Sequence, residues 1–437
     1  MIPDRNLDLQ AALTKGVGGM RFAVIPLDVE PLSFVRAASD RFEGAFYFSS
    51  PQGSTAGGVG VAAKASASGT ARFERLRSAV DAWSLPEPFR AFAGFSFSSD
   101  GPTSESWASF GSADAVLPIA TLLSTGDDRH LLLAVPPGVD ADSIVERLRS
   151  IEAPPDPVYP NLGDHTLESC PPVSEWTQAV AEAVAAIEDE AIRKVVLARS
   201  VIVRSDTAPD GFNVLSHLEA SYRQCFGFGW RVNGATFVGA SPELLVRSSG
   251  GVVTSNPLAG TAPRGEGEAE DRLLAEALMR SEKDRIEHRY VVDDVVERLA
   301  PYADHLTVPA EPSLKRMATV QHLSTRIEGT SRPRVHVLDL VGALHPTPAV
   351  GGTPRDPALA FIENAEPFDR GWYTGGVGWV DGTGDGEFAI GLRCGLLEGT
   401  NAHVFAGAGI VAESDPDAEL LETRLKFRPM LELLAAT

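Results

Sequence analysis

Between Phe405 and Lys426 the chain reads FAGAGIVAESDPDAELLETRLK, which holds the residue types that would bind an anion beside a hard cation. Gly407 and Gly409 end an apolar, strand-like run. Lacking side chains, they let backbone N–H groups come close to a ligand. A polar turn then leads into a helix, with Ser414 as its expected N-cap and Asp415 and Asp417 suited to the first turn. On that helix Glu419 and Glu422 stand three residues apart and Glu422 and Lys426 four, so two carboxylates and an ammonium share one face. Each spacing alone also describes an ordinary solvated helix. Beside the glycines it gains a chemical sense, because amides favour an oxyanion and carboxylates a metal.

A second carboxylate group lies in SEKDRIEHRYVVDDVVERL, where Asp284, Glu287 and His288 fall on one helical face. There is no HExxH, which disfavours zinc hydrolysis, and oxygen-rich ligands fit magnesium better. Lys194 opens the nearly continuous apolar run KVVLARSVIV. Desolvation there would lower its pKa and leave an amine able to act as a base, the plain alternative being a lysine that snorkels at a strand end. Glu243 sits between Pro242 and Leu244 in the strand candidate FVGASPELLVR. A carboxyl among apolar neighbours has its pKa raised, which suits a general acid, although a surface-pointing glutamate remains open. Arg393 lies inside the apolar strand candidate EFAIGLRCGLLE, where an unpaired guanidinium is costly, so a buried anion or carboxylate partner is expected. Gly260 and Thr261 close VVTSNPLAGTAPRG with small residues able to meet a ligand. His322 falls in the paired strands of KRMATVQHLSTRIEGT and His345 on the constrained loop LHPTPAVGGTP, with a purely structural histidine open for both.

These residues need a scaffold. MRFAVIPLD, FEGAFYFSSP, AFAGFSF, VLPIATLLST and RHLLLAVP are predicted strands, and PLSFVRAASDRF, RFERLRSAVDAW and DADSIVERLRSIEA predicted helices. From Gln52 to Thr70 one strand between flexible loops is expected; its glycines lack GxGxxG or GK[ST], so no phosphate cradle is read there. Ser98 to Asp114 is expected to be a long loop, and the Pro-rich stretch from Ala153 to Val173 is the strongest linker signal. SEWTQAVAEAVAAIEDE places Trp176, Val180, Val184 and Ile187 on one helical face behind a Ser174 cap. The late strand candidates WYTGGVGWV, EFAIGLRCGLLE and HVFAGAGIV, joined by DGTGDG and EGTN turns, imply an antiparallel sheet.

With 437 residues the chain suits two or three domains or one large α/β or α+β unit. A formal charge of −21 disfavours nucleic-acid and anionic-membrane surfaces, and an anionic substrate would need local rescue. Cys170, Cys225 and Cys394 are three in number and far apart, so neither a disulfide framework nor a zinc site is indicated and a reducing cytoplasm fits. The N-terminal MIPDRNLDLQ has no apolar core of an export signal, and no run approaches a membrane span.

Taken together and in order, KVVLAR, ASPELLVR, PLAGTAPRG, SEKDRIEHRYVV, VQHLSTRIEG, LHPTPAVGG, WYTGGVGWV, AIGLRC and AGAGIV with its trailing glutamates resemble the chorismate-utilising enzymes. That family comprises isochorismate synthases, salicylate synthases, anthranilate synthase large subunits and aminodeoxychorismate synthases. The resemblance runs from about Trp176 to the C-terminus. It implies an α+β fold shared with anthranilate synthase component I, two large antiparallel β-sheets packed together with helices outside. Residues 1–437 would form one intertwined unit, with 1–152 a divergent supporting part and 174–437 the chorismate-binding catalytic part.

The resemblance further implies a Mg2+ site, with Glu287 and Glu422 as ligands and Asp284 and Glu419 nearby through water. Gly407 and Gly409 would meet the ring carboxylate, and Arg393 with Tyr373 the enolpyruvyl carboxylate. Lys426 adds charge at the metal corner, and Gly260, Thr261, His322, His345 and Thr347 complete the substrate set. The ammonia-using branches carry glutamine where this chain has Lys194, and aminodeoxychorismate synthases carry PIKGT where it has PLAGT with Ala259. Both are thereby disfavoured, and no glutaminase subunit is expected. LHPTPAVGG looks like isochorismate synthases, so the implied reaction is chorismate to isochorismate, with Lys194 as base and Glu243 as acid. Salicylate synthase and a non-catalytic relic are the alternatives. A monomer or weak dimer in the cytoplasm is expected.

Overall fold

The computed structural model describes residues 13–435. The reading of MIPDRNLDLQ lies outside them. Among the described residues the strands form a 13-stranded and a nine-stranded antiparallel sheet, plus a three-stranded one made of Leu258–Pro263, Val320–Ser324 and Ser313–Arg316. Strands from the N-terminal third are built into both large sheets. Ala45–Ser49 pairs with Phe226–Val232 in the first, and Arg90–Phe95 pairs with Gly376–Asp381 in the second. The two sheets face each other across aromatic residues. Trp230, Phe237 and Trp107 are all buried there, with Trp372 against Trp230 at 5.0 Å and Phe237 against Trp107 at 5.3 Å in edge-on geometry.

Two neighbouring strand pairs pass from one sheet to the other at the same place, and this positions the site. Ala235–Ser241 lies in the large sheet and Leu244–Ser249 in the nine-stranded one, with Pro242 and Glu243 between them. Gly386–Ile390 and Cys394–Glu398 make the opposite crossing through Gly391, Leu392 and Arg393. The crossings are tied together: Ile390 N–H donates to the Glu243 carbonyl and Ala240 N–H to the Arg393 carbonyl, both at 3.2 Å. FVGASPELLVR and EFAIGLRCGLLE, each expected as one strand, are therefore two strands apiece. Arg393 stands at a corner rather than inside a strand, with φ of +50°. The late strands accordingly divide between two sheets, because such corners let a strand leave one layer for the other.

Other expectations change locally. Gln52 to Thr70 holds two strands, Ser54–Val59 and Ala63–Ala67. The run from Ser98 to Asp114 is a fastened segment: the buried Arg72 guanidinium donates to Ser96, Ser98 and Ser112, and Trp107 is buried within it. The helix Val173–Glu188 starts before Ser174, so Ser174 does not cap it; Trp176 and Val180 are buried as expected. The last helix, Pro416–Leu434, is capped by Asp415, which accepts from the amides of Asp417 and Ala418, while Ser414 is engaged elsewhere. The Pro-rich stretch from Ala153 to Val173 is not a linker throughout: it contains the edge strand His165–Cys170, which pairs with Lys194–Ser205.

Candidate active site

A cleft opens at the crossings and is closed on the other side by two helices. Its walls include Glu243, Gly260, Thr261, Glu287, His322, Tyr373, Arg393, Gly407, Gly409, Glu422 and Lys426. Residues spread over some 180 positions of sequence thus meet in one enclosure.

Glu243 is 4% exposed, and burial pushes its carboxyl up to about 7, against the opposing pull of a Leu258 amide at 3.5 Å and of Lys194, Arg393 and Lys315. At neutral pH it is poised to hold or release a proton. Arg393, on the companion crossing, has no carboxylate within salt-bridge distance among the described residues. Burial pushes its pKa down, and its guanidinium donates to His322 Nε2 at 3.1 Å. A guanidinium can only donate, so Nε2 is the unprotonated nitrogen and Nδ1–H points to the Gly260 carbonyl at 3.1 Å, with the Thr261 hydroxyl at 3.2 Å. Burial and the neighbouring Arg393 hold His322 well below the usual imidazole range, so it stays neutral. His322 and Thr261 thereby brace the guanidinium. Tyr373 stacks on Phe405 at 5.1 Å beside Gly407, and burial pushes its phenol pKa upward, keeping the hydroxyl protonated.

The opposite wall is the strand Asn401–Ile410, in register with Lys194–Ser205 through Gly407 opposite Ala198 and Gly409 opposite Val196. Ala198 N–H donates to Glu366 and its carbonyl accepts from Trp176, and Val196 N–H donates to the Gly351 carbonyl and its own carbonyl accepts from Arg370. Both are therefore non-hydrogen-bonded pairs, and the amides of Gly407 and Gly409 project from the far edge of their strand, where the two residues line the cleft. A side chain would destroy this wall: a Cβ on Gly409 would lie 2.2 Å from Glu287 Oε1, and one on Gly407 3.0 Å from the Tyr373 hydroxyl.

The carboxylates come from two helices, Glu282–Leu299 and Pro416–Leu434. Glu287 pairs with the fully buried Lys194 at 3.0 Å and Glu422 with Lys426 at 2.6 Å, while Lys426 also donates to the Gly407 carbonyl at 2.9 Å. Lys194 stands behind the wall rather than on it and has the charge partner that its sequence context did not reveal. Asp284 and Glu419 also stand back from the cleft. Asp284 abuts Gly260, whose φ is +72°, and burial with help from Glu287 raises its pKa. Burial and the charge of Glu422 raise that of Glu419, which accepts from Lys283 and Ser414, both at 2.7 Å.

Two expected substrate residues are not brought to the cleft. His345 is held by the Thr374 carbonyl at 2.9 Å and packs on Phe95, and burial pushes its pKa down to about 3. Thr347 is buried in the following turn, which places Ala349 and Val350 on the cleft wall instead. Lys283 and Lys315 were missed; both are part of polar surfaces in sequence and acquire partners only through long-range packing.

Among the described residues no three His, Cys, Asp or Glu side chains converge as a ready-made metal cage. Two cleft-lining carboxylates do fit Mg2+, which takes one or two protein carboxylates and completes its shell with substrate and water. Burial raises Asp284 and Glu419 most, and the further push from the neighbouring Glu287 and Glu422 charges is the kind a cation relieves.

The sequence profile described as chorismate binding enzyme matches residues 19–435, and the chain belongs to that family. Within it, the similarity is to isochorismate synthases. The salicylate biosynthesis isochorismate synthase of Pseudomonas aeruginosa is 37% identical over 434 residues, covering 95% of this chain and 89% of that one. Isochorismate synthase MenF of Bacillus subtilis is 35% identical over 350 residues, 78% of this chain and 74% of that one. The solved menaquinone-specific isochorismate synthase MenF of Escherichia coli superposes with a TM-score of 0.83 at 26% identity, covering 97% of this chain and 95% of that one. Anthranilate synthase component I of Streptococcus pneumoniae, at 19% identity and a TM-score of 0.68 over 98% and 94% of the two chains, shares the fold. No helix among the described residues is long and apolar enough to cross a membrane.

Proposed function

We propose that this cleft binds chorismate and converts it to isochorismate by adding water at C2 and expelling the C4 hydroxyl. The chain is an isomerase acting on chorismate, as its isochorismate synthase relatives indicate. One observation carries the reading at the level of residues: a protonatable Glu243 and an Arg393 without a carboxylate partner among the described residues share one enclosed cleft.

Arg393 and the Tyr373 hydroxyl would receive the enolpyruvyl carboxylate by charge-assisted hydrogen bonding. The amides of Gly407 and Gly409 would receive the ring carboxylate. Glu287 and Glu422 would hold Mg2+, with Asp284 and Glu419 behind them; when bound, it supplies Lewis-acid polarisation of that carboxylate. With Glu287 engaged there, Lys194 would lose the counter-charge that favours its ammonium form and, as the neutral amine, take a proton from the attacking water. Glu243, buried and protonated, would give its proton to the departing C4 oxygen as the ring double bonds shift. Proton count is preserved, since one enters Lys194 as one leaves Glu243. Water as the nucleophile removes any need for a glutaminase partner. The free cysteines Cys170, Cys225 and Cys394 support a reducing, cytoplasmic setting.

The test is incubation of the purified protein with chorismate, with and without Mg2+ and without ammonia, followed by chromatographic identification of products. Isochorismate that disappears on chelation is expected. Salicylate with equimolar pyruvate would place the chain in the salicylate synthase branch, and absence of product would overturn the enzymatic reading of the site.

A further inference from the structure

The crossing that carries Glu243 is held from outside the two large sheets. Lys315 lies on Ser313–Arg316, the outer strand of the three-stranded sheet, and its ammonium donates to the Pro242 carbonyl at 2.7 Å. Pro242 immediately precedes the acid, and its carbonyl belongs to the peptide that carries the Glu243 N–H. That N–H is itself 3.3 Å from the Ser241 hydroxyl. The cross-strand partner of Lys315 is His322, the residue that braces Arg393. One small sheet therefore grips both crossings through two adjacent side chains. Lys315 is half-buried and has no carboxylate within salt-bridge distance among the described residues. An ammonium drawn partly out of water onto a neutral carbonyl is costly unless its charge is used nearby.

We propose that Lys315 is a positioning residue for Glu243: its ammonium fixes the Pro242 carbonyl at the crossing and supplies a positive charge beside the acid. The inference rests on the reading of Glu243 as general acid. The charged and titratable groups around that carboxyl are Lys194 from the long strand, Arg393 from the companion crossing and Lys315 from the small sheet. Burial pushes the Cys225 thiol, which faces Lys315, up to about 12, so it stays neutral and contributes no competing charge. Of the three cations, Arg393 is directed to substrate and Lys194 is paired with Glu287. Lys315 is the one whose contact runs through the backbone of the acid's own corner.

Removing the charge disfavours the carboxylate form, so the acid keeps its proton to higher pH. In Lys315→Met the alkaline limb of the kcat profile should move up by roughly half a pH unit or more, while kcat at neutral pH falls about tenfold with KM changed less than about twofold. Lys315→Arg, which keeps the charge, should hold the limb near its original place even if the fit of the longer head group lowers kcat. Thermal melts of both variants identify a folding defect, in which case the arginine variant carries the comparison. An unmoved limb in Lys315→Met, or a limb that moves equally in Lys315→Arg, would overturn the proposal. Glu243→Gln separates the two layers of argument. If that variant retains the limb, the acid assignment falls and the lysine's role falls with it. If the limb vanishes in Glu243→Gln yet stays put in Lys315→Met, only the lysine's role is overturned.

Discussion

The two ends of the cleft are built on different principles. At the crossings, Glu243 and Arg393 are fixed by backbone: each stands where a chain changes sheets, and each crossing is hydrogen-bonded to the other. Neither has an opposite charge in salt-bridge contact among the described residues. At the helical end, Glu287 and Glu422 stand on two helices and each is matched by a lysine at 3.0 and 2.6 Å. The first end is preorganised and left electrically unfinished, which suits an anionic substrate and a proton donor. The second is neutralised within itself, and its ion pairs can be exchanged for a cation and its ligands. Preorganised donors cost no rearrangement at the moment of reaction, whereas exchangeable pairs make binding of the ion conditional.

That contrast can be broken at either end. The largest effects are expected from the two proton-transfer groups: Glu243→Gln and Lys194→Ala should each lower kcat by roughly 100- to 10,000-fold with folding intact, read by steady-state kinetics and thermal melts. Near-normal turnover in either would remove that residue from its role. The acid also sets a pH dependence. Its protonated form is the active one, so kcat should fall as pH rises through about 7, and Glu243→Gln should abolish that limb.

Next, Arg393→Ala should reduce kcat/KM by roughly 10- to 100-fold or more, the worth of a hydrogen bond between charged groups. Because His322 braces the guanidinium by donor matching, Arg393→Lys should recover only part of the loss. At the helical end, Glu422→Gln should raise the Mg2+ concentration needed for half-maximal rate while leaving the alkaline limb unchanged, read by metal titration at several pH values. Gly409→Ala should raise that Mg2+ concentration as well, because its methyl group would lie 2.2 Å from Glu287 Oε1 and displace the carboxylate. The smallest effect is expected from Tyr373→Phe, which removes a single hydroxyl and should raise KM by no more than about tenfold.

Most chemical groups of the site were legible because each breaks a local pattern. Glu243, Lys194 and Arg393 are polar residues inside apolar runs, and burial explains all three. What the runs could not reveal is where they bend. An apolar stretch of ten residues reads alike whether it is one strand or two strands meeting at a corner, and Arg393 takes a positive φ that glycine more commonly marks. The helix cap moved from Ser414 to Asp415 for a related reason: two good capping types are adjacent, and Glu419 captures the serine. His345 and Thr347 carried family character, yet packing turns them away from the cleft wall. Lys315 was invisible because its partner is 73 residues away in sequence and is a backbone carbonyl.

The most direct test of the account is the origin of the new hydroxyl. Chorismate is turned over with Mg2+ in 18O-enriched water, and the product is isolated at low conversion for mass spectrometry. Attack by water activated on the Lys194 side, with departure of the C4 hydroxyl assisted by Glu243, predicts isochorismate carrying one solvent oxygen on the ring. Unlabelled isochorismate would mean that the substrate's own hydroxyl migrates, which would contradict the assignment of separate base and acid to the two sides of the cleft.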